Sequence, residues 1–370
     1  FLIIFYLSFI GIKTTKFNEK ITNKILDNND DISLSLKEVK FLLDPFNFTA
    51  NISTNDPTIS LSSNELKIKS IKTKVLIKSL IFGKFSIDDL EISTKQIKLK
   101  DLILLTRSFK NSAELFLLDK IIKDGFLIAE IHLKFDDKGK IKDNYKINGF
   151  IKDARLNFFN KFDLENLNFQ FDIDKKKYSL TKIKANFNKI VFSSPLIKVI
   201  KKDDIFFTKG KIITEEKNFD KNHLSFFLND LLKDQNLLEK IRLSSDSNFS
   251  FSVNKKFKFK DLSIMSKINL NQLHIKNNFK NLKSYLPDLN EVINLKDHKL
   301  IINYDKNKIM IKGNGKVLIK DKYDLINYNI TKNDNQYIFD TKINLKNNEL
   351  LIKFLDYDKK ENLESSIFIK

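Results

Sequence analysis

The sequence predicts an all-β protein whose long, curled, mostly antiparallel sheet forms an open groove with an apolar interior. A few short helices and an N-terminal membrane helix complete the predicted fold. Three observations lead to this class: apolar and polar residues alternate along most of the chain, short turn signals separate the alternating runs, and one irregularity in the alternation recurs five times. An alternation with a period of two is typical of half-buried strands.

The alternation is clearest in residues 32–36 (ISLSL), 249–253 (FSFSV) and 309–312 (IMIK). Polar turn signals separate such runs, as at 136–139 (DDKG) and 305–307 (DKN). Short polar loops between alternating runs are typical of successive antiparallel hairpins. We therefore expect a ladder of hairpins.

The recurring irregularity sets two polar residues, instead of one, between apolar residues of a run. Without compensation, the second half of the apolar set would move to the opposite face of the sheet. A β-bulge cancels this slip, because two residues of one strand then face one residue of its partner, and it also bends the strand. A two-residue hairpin loop would have the same effect, but these pairs lack the Gly or Asn-Gly that such loops favour. The predicted bulges are at Lys69–Ser70, Asp88–Asp89, Glu165–Asn166, Thr181–Lys182 and Lys260–Asp261.

The N-terminal residues 1–12 (FLIIFYLSFIGI) are apolar and uncharged, and they end at Lys13. A helix that spans a bilayer needs about 20 residues. We therefore predict that 1–12 is a truncated transmembrane anchor or a signal segment, with a buried strand as the alternative.

Residues 13–370 contain no Pro-rich, Gly-rich or Ser-rich linker, and we expect one continuous β-groove domain. Leucine and isoleucine at helical spacing predict a helix near 112–124, followed by Gly125 as a C-terminal glycine. Amphipathic stretches predict two further helical insertions, near 222–241 and 279–293. Each helix could pack on the apolar face of the sheet or cover its edge.

The formal net charge is +19, yet only three of the 66 basic residues are Arg. A basic face can bind nucleic acid by neutralising phosphates, but base and phosphate recognition favours the bidentate guanidinium of Arg. The lysines alternate with apolar residues instead of forming one patch. We therefore predict a solvated lysine-rich face and no nucleic-acid partner. An attraction to anionic lipid headgroups is compatible with this face.

Residue types that carry chemistry form no recognisable site. The absence of Cys excludes disulfides and thiolate chemistry. The four histidines, His132, His223, His274 and His298, lack metal-ligand spacing, and His132 is predicted to be a solvated strand residue. The Asp pairs coincide with turns and bulges, where Asp is favoured, and 312–316 (KGNGK) is predicted to be a hairpin turn. We predict no metal, no cofactor, no catalytic residue and no enzymatic activity.

The order of these features resembles the AsmA-like family of TamB/YhdP-like bacterial envelope proteins. The resemblance rests on an N-terminal apolar segment before a hairpin ladder, and on 80–92 (LIFGKFSIDDLEI), 97–99 (IKL), 135–139 (FDDKG) and 145–154 (YKINGFIKDA). It implies a single-pass inner-membrane protein whose β-groove lies in the periplasm and conducts phospholipids toward the outer membrane, which contributes to outer-membrane assembly. The implied partners are phospholipids, the inner membrane and outer-membrane or envelope assembly proteins.

A lipid groove would be lined by apolar residues of the alternating and bulged strands. The residues that we expect to line it are Ile87, Leu90, Ile92, Phe169, Phe171, Phe249, Phe251, Phe257 and Phe259. The alternative is that these side chains form an ordinary packed core, as in a non-catalytic structural or adhesive β-solenoid or sandwich of the cell envelope. An outer-membrane barrel is a further alternative, against which the N-terminal segment and the internal helices argue.

Overall fold

The computed structural model describes most of the chain in two compact units. The described residues are 2–16, 18, 32–61, 64–82, 87–109, 112–158, 162–219, 238–254, 258–276, 292–333, 336–352 and 355–370. Unit 1 comprises Phe1–Phe187 and Lys198–Lys201, and unit 2 comprises Asn188–Ile197 and Lys202–Lys370. The prediction that 13–370 form one continuous domain stays a prediction.

Unit 1 contains twelve complete strands and four short helices within its described residues. The strands are β1 (Ile12–Thr14), β2 (Ile32–Ser35), β3 (Val39–Asp44), β4 (Thr49–Asn55), β5 (Thr58–Leu61), β6 (Asn64–Leu76), β7 (Ile87–Thr94), β8 (Ile97–Lys98), β9 (Ile122–Lys134), β10 (Lys146–Phe158), β11 (Phe162–Ile173) and β12 (Lys177–Phe187). The helices are α1 (Leu2–Phe9), α2 (Ile77–Ile81), α3 (Leu99–Phe109) and α4 (Ala113–Ile121).

The strands of unit 1 pair antiparallel in the order β1-β3-β4-β6-β7-β9-β10-β11-β12. The first part of β6 pairs with β5, which pairs with β2, and the second part of β6 pairs with β4. Strand β8 pairs with β9 beyond the end of the β7–β9 ladder. Most neighbours in this ladder also follow one another in the sequence, as the hairpin prediction requires.

Unit 2 is a meander of long strands. Its strands are β14 (Ile205–Phe219), β15 (Leu238–Asn254), β16 (Phe259–Lys276), β17 (Val292–Asp305), β18 (Lys308–Leu318), β19 (Tyr323–Asn333), β20 (Gln336–Leu345), β21 (Leu350–Ile352), β22 (Tyr357–Lys359) and β23 (Ser365–Ile369), and most of β13 (Ile190–Lys202) also belongs to it. Strands β14 to β20 pair antiparallel in sequence order, β23 pairs with β20, and β21 and β22 form a separate hairpin. The predicted all-β, antiparallel class with a few short helices is therefore confirmed.

All five predicted bulges are confirmed by shifts in strand register. In the β6–β7 ladder, for example, Ile68 faces Thr94 and Ser70 faces Ser93, which leaves Lys69 as the extra residue. The backbone is left-handed at three of the predicted pairs, at Asn166, Lys182 and Asp261, and also at Asp153 and Asp297 in two bulges that the sequence analysis missed. Asn and Asp tolerate this conformation better than most residues, which explains their frequency here.

The predicted helix near 112–124 is present but shorter. Helix α4 ends at Ile121, and the Ser112 hydroxyl accepts a hydrogen bond from the Leu115 amide at its start. Gly125 is not its C-terminal glycine, because β9 begins at Ile122. A Cβ atom on Gly125 would lie 2.7 Å from Ala154 Cα, so this glycine provides room for the neighbouring strand β10.

The other two predicted helices lie mainly outside the described residues. Where the ends of these stretches are described, they are strand: 238–241 begin β15, and 292–293 begin β17. Helix α3 was missed by the sequence analysis. It is joined to α4 by an ion pair of 2.7 Å between Arg107 and Asp119.

The N-terminal apolar segment forms helix α1, followed by the edge strand β1. In the part of the chain that the structure describes, no helix combines the length and apolar character needed to cross a membrane.

The prediction of a hairpin turn at 312–316 is wrong. The segment lies inside β18, where Gly313 faces Tyr328 and Gly315 faces Ile326 on β19. The glycines provide room for the side chains of neighbouring strands and do not reverse the chain.

Candidate functional site

One face of the unit 1 sheet carries a continuous row of apolar side chains that crosses five strands. Directly paired residues lie on the same face of a sheet. The row consists of Ile71, Ile92, Ile131, Ile147 and Ile173. An adjacent row contains Leu90, flanked by Thr73 and Leu133. We call this side the apolar face of unit 1.

The five residues of unit 1 that were predicted to line a groove all lie on this apolar face. They are Ile87, Leu90, Ile92, Phe169 and Phe171, and each is partly exposed. Their strand partners are also apolar or small, since Ile87 faces Val75, Phe169 faces Ile151 and Phe171 faces Gly149. The bulges in β7 and β11 keep these side chains on one side.

The opposite face of unit 1 carries an exposed row of polar side chains. The row crosses β6, β7, β9 and β10 through Lys72, Glu91, His132 and Lys146. Glu91 Oε2 lies 3.8 Å from Lys72 Nζ, and its Oε1 lies 3.6 Å from His132 Nδ1. Exposed pairs of this kind contribute little to stability, so this row is a solvated surface. The prediction that His132 is a solvated strand residue is confirmed.

Helix α3 covers part of the apolar face of unit 1. Leu66, Ile68 and Ile97 form a buried cluster, and two leucines of α3 and Ile92 pack against it. Ile92 is therefore partly enclosed by the protein itself. The signal that could have revealed α3 is its strong amphipathicity, with apolar residues at helical spacing over 99–105.

Unit 2 also has an apolar face, which carries two cross-strand rows. One row consists of Gly210, Phe249, Ile264, Tyr304 and Ile309. The other includes Ile302, Ile311, Ile330 and Phe339. These side chains are buried only in part, apart from Phe339, which is exposed.

Three predicted groove residues form an aromatic group on this apolar face of unit 2. The ring centroids of Phe249 and Phe251 are 5.9 Å apart, and those of Phe251 and Phe259 are 5.4 Å apart. Phe259 is 70% exposed, the highest exposure among the predicted groove residues that the structure describes. The remaining residue, Phe257, lies outside the described residues.

Glycines make room for aromatic rings on both apolar faces. A Cβ atom on Gly149 would lie 2.8 Å from Phe171 Cζ, and one on Gly210 would lie 2.8 Å from Phe249 Cζ. A Cβ on Gly313 would lie 2.5 Å from Tyr328 Cζ. Each ring therefore lies over the backbone of the neighbouring strand, in space that the side chain of any residue other than glycine would occupy.

A hydrogen-bonded polar pair of buried His298 and partly buried Tyr328 lies within the apolar face of unit 2, and it was not predicted from the sequence. His298 is 1% exposed, and its ring would overlap a Cβ atom on Gly315. Its Nε2 donates a hydrogen bond to the Lys316 carbonyl at 2.9 Å, so Nδ1 is free to accept one from the Tyr328 hydroxyl at 3.0 Å. The two glycines of KGNGK, which lie on β18, are the signal that could have pointed to rings on the two strands that flank β18.

Burial sets the protonation states of this pair. Burial lowers the pKa of His298 below its ordinary value, although the hydrogen bond to the Lys316 carbonyl and the charge of Asp297 act in the opposite direction. Burial also raises the pKa of Tyr328 to about 12. The imidazole is therefore neutral and the phenol protonated at neutral pH, as this hydrogen-bond arrangement requires.

One end of the unit 2 apolar face is closed by a packed core. The buried members are Val317, Ile319, Ile343, Leu345 and Leu350, and the last belongs to the β21–β22 hairpin. The loop before this hairpin is held by Asp324, whose carboxylate accepts hydrogen bonds from the amides of Lys346, Asn347 and Asn348.

A buried lysine holds the same loop from its other side. Lys359 is 3% exposed, and its ammonium donates to the carbonyls of Leu345 at 2.9 Å and Asn348 at 2.6 Å. Both this ammonium and the Asp324 carboxylate thus have structural partners. Among the described residues, no group of three or more His, Asp or Glu side chains could hold a metal ion.

Comparison with known proteins assigns no family to the chain. The resemblance to the AsmA-like family therefore stays a prediction from the sequence pattern. No family model matches the chain, and no curated protein or solved structure shows significant similarity to it.

Proposed function

We propose that this protein conducts phospholipids between the inner and outer membranes and so contributes to outer-membrane assembly. In this proposal the N-terminal apolar segment holds the chain at the inner membrane, and the two units lie in the periplasm. Acyl chains lie on the apolar faces, while headgroups stay in water. The observation that carries the proposal is the continuity of partly exposed apolar rows across neighbouring strands.

The energetics of acyl chains favour such a surface. Each methylene removed from water contributes about 0.8 kcal/mol, so a 16-carbon chain in water costs on the order of 12 kcal/mol. A row across five strands about 4.8 Å apart spans roughly 20 Å. Half of a hydrocarbon core is about 15 Å thick, so one row is long enough to accommodate one acyl chain.

Site-specific photocrosslinking tests which face contacts lipid. A photoreactive phenylalanine analogue at Phe171 or Phe249 should form lipid adducts when the protein is isolated from a bacterial envelope. Asp172 and Asn248 are matched control positions, because each adjoins one of these residues in the chain, is exposed and lies on the opposite face. Adducts at the control positions alone, or equally at all four, would contradict the proposal.

Lipid that copurifies with the protein provides an independent measurement. Residues 13–370, purified from a bacterial periplasm, should yield phospholipid on solvent extraction and mass spectrometry. An unrelated periplasmic β protein provides the background. Lipid no higher than this background would count against a groove.

A second candidate function is a non-catalytic structural or adhesive role in the cell envelope. The observation that favours it is the closure of part of each apolar face by the chain itself, through α3 in unit 1 and the β21–β22 hairpin in unit 2. A self-packed protein would yield crosslinks from Phe171 and Phe249 to its own chain rather than to lipid. The photocrosslinking experiment therefore separates the two functions.

A further inference from the structure

Exposed apolar side chains of unit 1 are concentrated at one end of its strands. The turn between β3 and β4 presents Phe46, which is 94% exposed, and Phe48, which is 70% exposed. Helix α2 begins beside this turn, and at its other end Ile81 is 75% exposed and the following Phe82 is 66% exposed. A group of large apolar side chains with such high exposure is uncommon on a protein surface and indicates an interaction site.

Three separate segments meet at this end. The Ile77 amide donates a hydrogen bond to the Phe48 carbonyl at 3.0 Å, which joins α2 to the β3–β4 turn. Helix α1 enters β1 beside the same end of β3, because Ile12 pairs with Phe41 and Gly11 lies against Phe41 and Leu42. None of the residues of α1 is buried.

The β3–β4 turn holds its aromatic residues in fixed positions. Asp44 Oδ1 accepts a hydrogen bond from the Asn47 amide at 3.1 Å, and Oδ2 accepts one from the Asn47 side chain at 2.7 Å. Phe48 has a left-handed backbone with φ of 51°. For a bulky residue this conformation is strained, and strain of this kind is typical of functional positions.

Several backbone amides at this end are hydrogen-bonded within the protein. Besides the Asn47 and Ile77 amides, the Phe82 amide bonds to the Lys78 carbonyl, and the Ile10 and Gly11 amides bond to the Tyr6 carbonyl. Paired peptide groups are what a lipid environment requires.

The charges near this end are mixed. Lys72 and Lys74 on β6 face Glu91 and Asp89 on β7, and Asp44 lies in the β3–β4 turn. Residues 2–12, which form α1 and lead into β1, carry no charge. Exposed aromatic side chains beside an uncharged apolar helix fit the headgroup boundary of a phospholipid bilayer.

We infer that this end of unit 1 is a membrane-contact surface, in which Phe46, Phe48 and Phe82 insert into a phospholipid bilayer beside α1. The inference deepens the proposed function and rests on it for the presence of a membrane. It assigns membrane contact to the β3–β4 turn and to the end of α2, in addition to the N-terminal helix α1.

The chain has no Trp, so the tryptophan fluorescence of a single-Trp variant comes only from the introduced residue. Full-length Phe46→Trp and Phe82→Trp variants are mixed with vesicles of phosphatidylethanolamine and phosphatidylglycerol. Their emission should shift to shorter wavelength and be quenched by brominated lipid. Gln96→Trp is the control and should show neither change. Gln96 is exposed just beyond the far end of β7, roughly 25 Å away by the rise of about 3.3 Å per residue.

Substitutions test the contribution of the rings to binding. Phe46→Ser should lower the vesicle partition coefficient about tenfold, since it removes one buried aromatic side chain from the contact. Phe116→Ser removes a half-exposed phenylalanine from α4 and should leave the coefficient unchanged.

The inference is overturned if the Phe46→Trp and Phe82→Trp variants bind vesicles through α1 while their tryptophan emission stays that of an indole in water. It is also overturned if the full chain does not bind vesicles at all. If this surface binds a protein instead of lipid, the tryptophan emission would stay unchanged on vesicle binding. Vesicle insertion without copurifying lipid would contradict the conduit but support the contact surface, so the two proposals fail separately.

Discussion

Buried His298 and partly buried Tyr328 form a hydrogen-bonded pair on the unit 2 apolar face, with 3.0 Å between Nδ1 and the hydroxyl. The neutral imidazole needs this hydroxyl, because its other nitrogen already donates to the Lys316 carbonyl. Tyr328→Phe would leave Nδ1 without a donor. We expect a loss of about 1–2 kcal/mol in the free energy of unfolding, measured by urea denaturation. Tyr337→Phe, at an exposed position, is the matched control and should change little.

The same pair makes stability depend on pH in a defined direction. The pKa of His298 is lower in the folded than in the unfolded chain, so below about pH 6.5 the unfolded chain binds a proton that the folded chain does not. The contribution of His298 is complete above this pH and is lost as the pH falls. The free energy of unfolding should therefore decline as the pH falls below about 6.5, and His298→Gln should flatten this decline. An equal decline in this variant would assign the effect to other groups.

Gly315 should tolerate no side chain, because a Cβ atom there would overlap the His298 ring. We expect Gly315→Ala to destabilise unit 2 by about 1–3 kcal/mol, as overpacking of a core does. Asn314→Ala is the control, since Asn314 is exposed on the opposite face of the same strand. Differential scanning calorimetry of both variants gives the comparison. Equal thermal stability would show that the rings can move aside.

The Asp324 carboxylate should be needed to hold the 346–348 loop. Asp324→Ala removes the acceptor of three backbone amides, and the burial of this site leaves them without water. We expect a loss of about 2–4 kcal/mol and earlier proteolysis near this loop. Asp321→Ala removes an exposed carboxylate nearby in the chain and should behave like the unchanged protein.

The bulge at Lys182 should reject β-branched residues, because Lys182 has a left-handed backbone with φ of 52°. Lys182→Val should cost about 1–2 kcal/mol, whereas Lys182→Asn should be tolerated. Lys184→Val makes the same chemical change at a neighbouring exposed strand position with regular backbone, where Val is a good strand residue. If both Val variants unfold at the same urea concentration, the strain at the bulge is negligible.

The strands and bulges could be predicted from the sequence because both follow from local periodicity. An extra polar residue at Asp88 or Asp261 is visible in the chain itself, and the register shift follows from it. The role of Gly313 could not be predicted in this way, because it depends on Tyr328 in the facing strand. The alternation around KGNGK is weak, and its glycines favour a turn when only neighbours in the sequence are considered.

The candidate site could be predicted only in part for a similar reason. The eight described residues proposed for a groove do lie on apolar faces, since the period of two fixes the face. Periodicity cannot distinguish a face that meets a ligand from one that meets a helix of the same chain. Ile92 illustrates this limit. Helix α3 packs on the cluster around it, yet its alternation of apolar and polar residues is the same as that of strands that no helix covers.

In this chain, close approach of a ring to the backbone and bending at a bulge occur at different residue types. Four of the eight, Gly149, Gly210, Gly313 and Gly315, lie where an aromatic or imidazole ring crosses the strand, while most bulges bend at Asp, Asn or Lys. An alanine scan would therefore separate them. A loss of stability on replacement of glycine would show where a ring packs against the backbone. A loss on replacement of Asp or Asn would show where the sheet bends. Stability measurements could therefore map the two features independently.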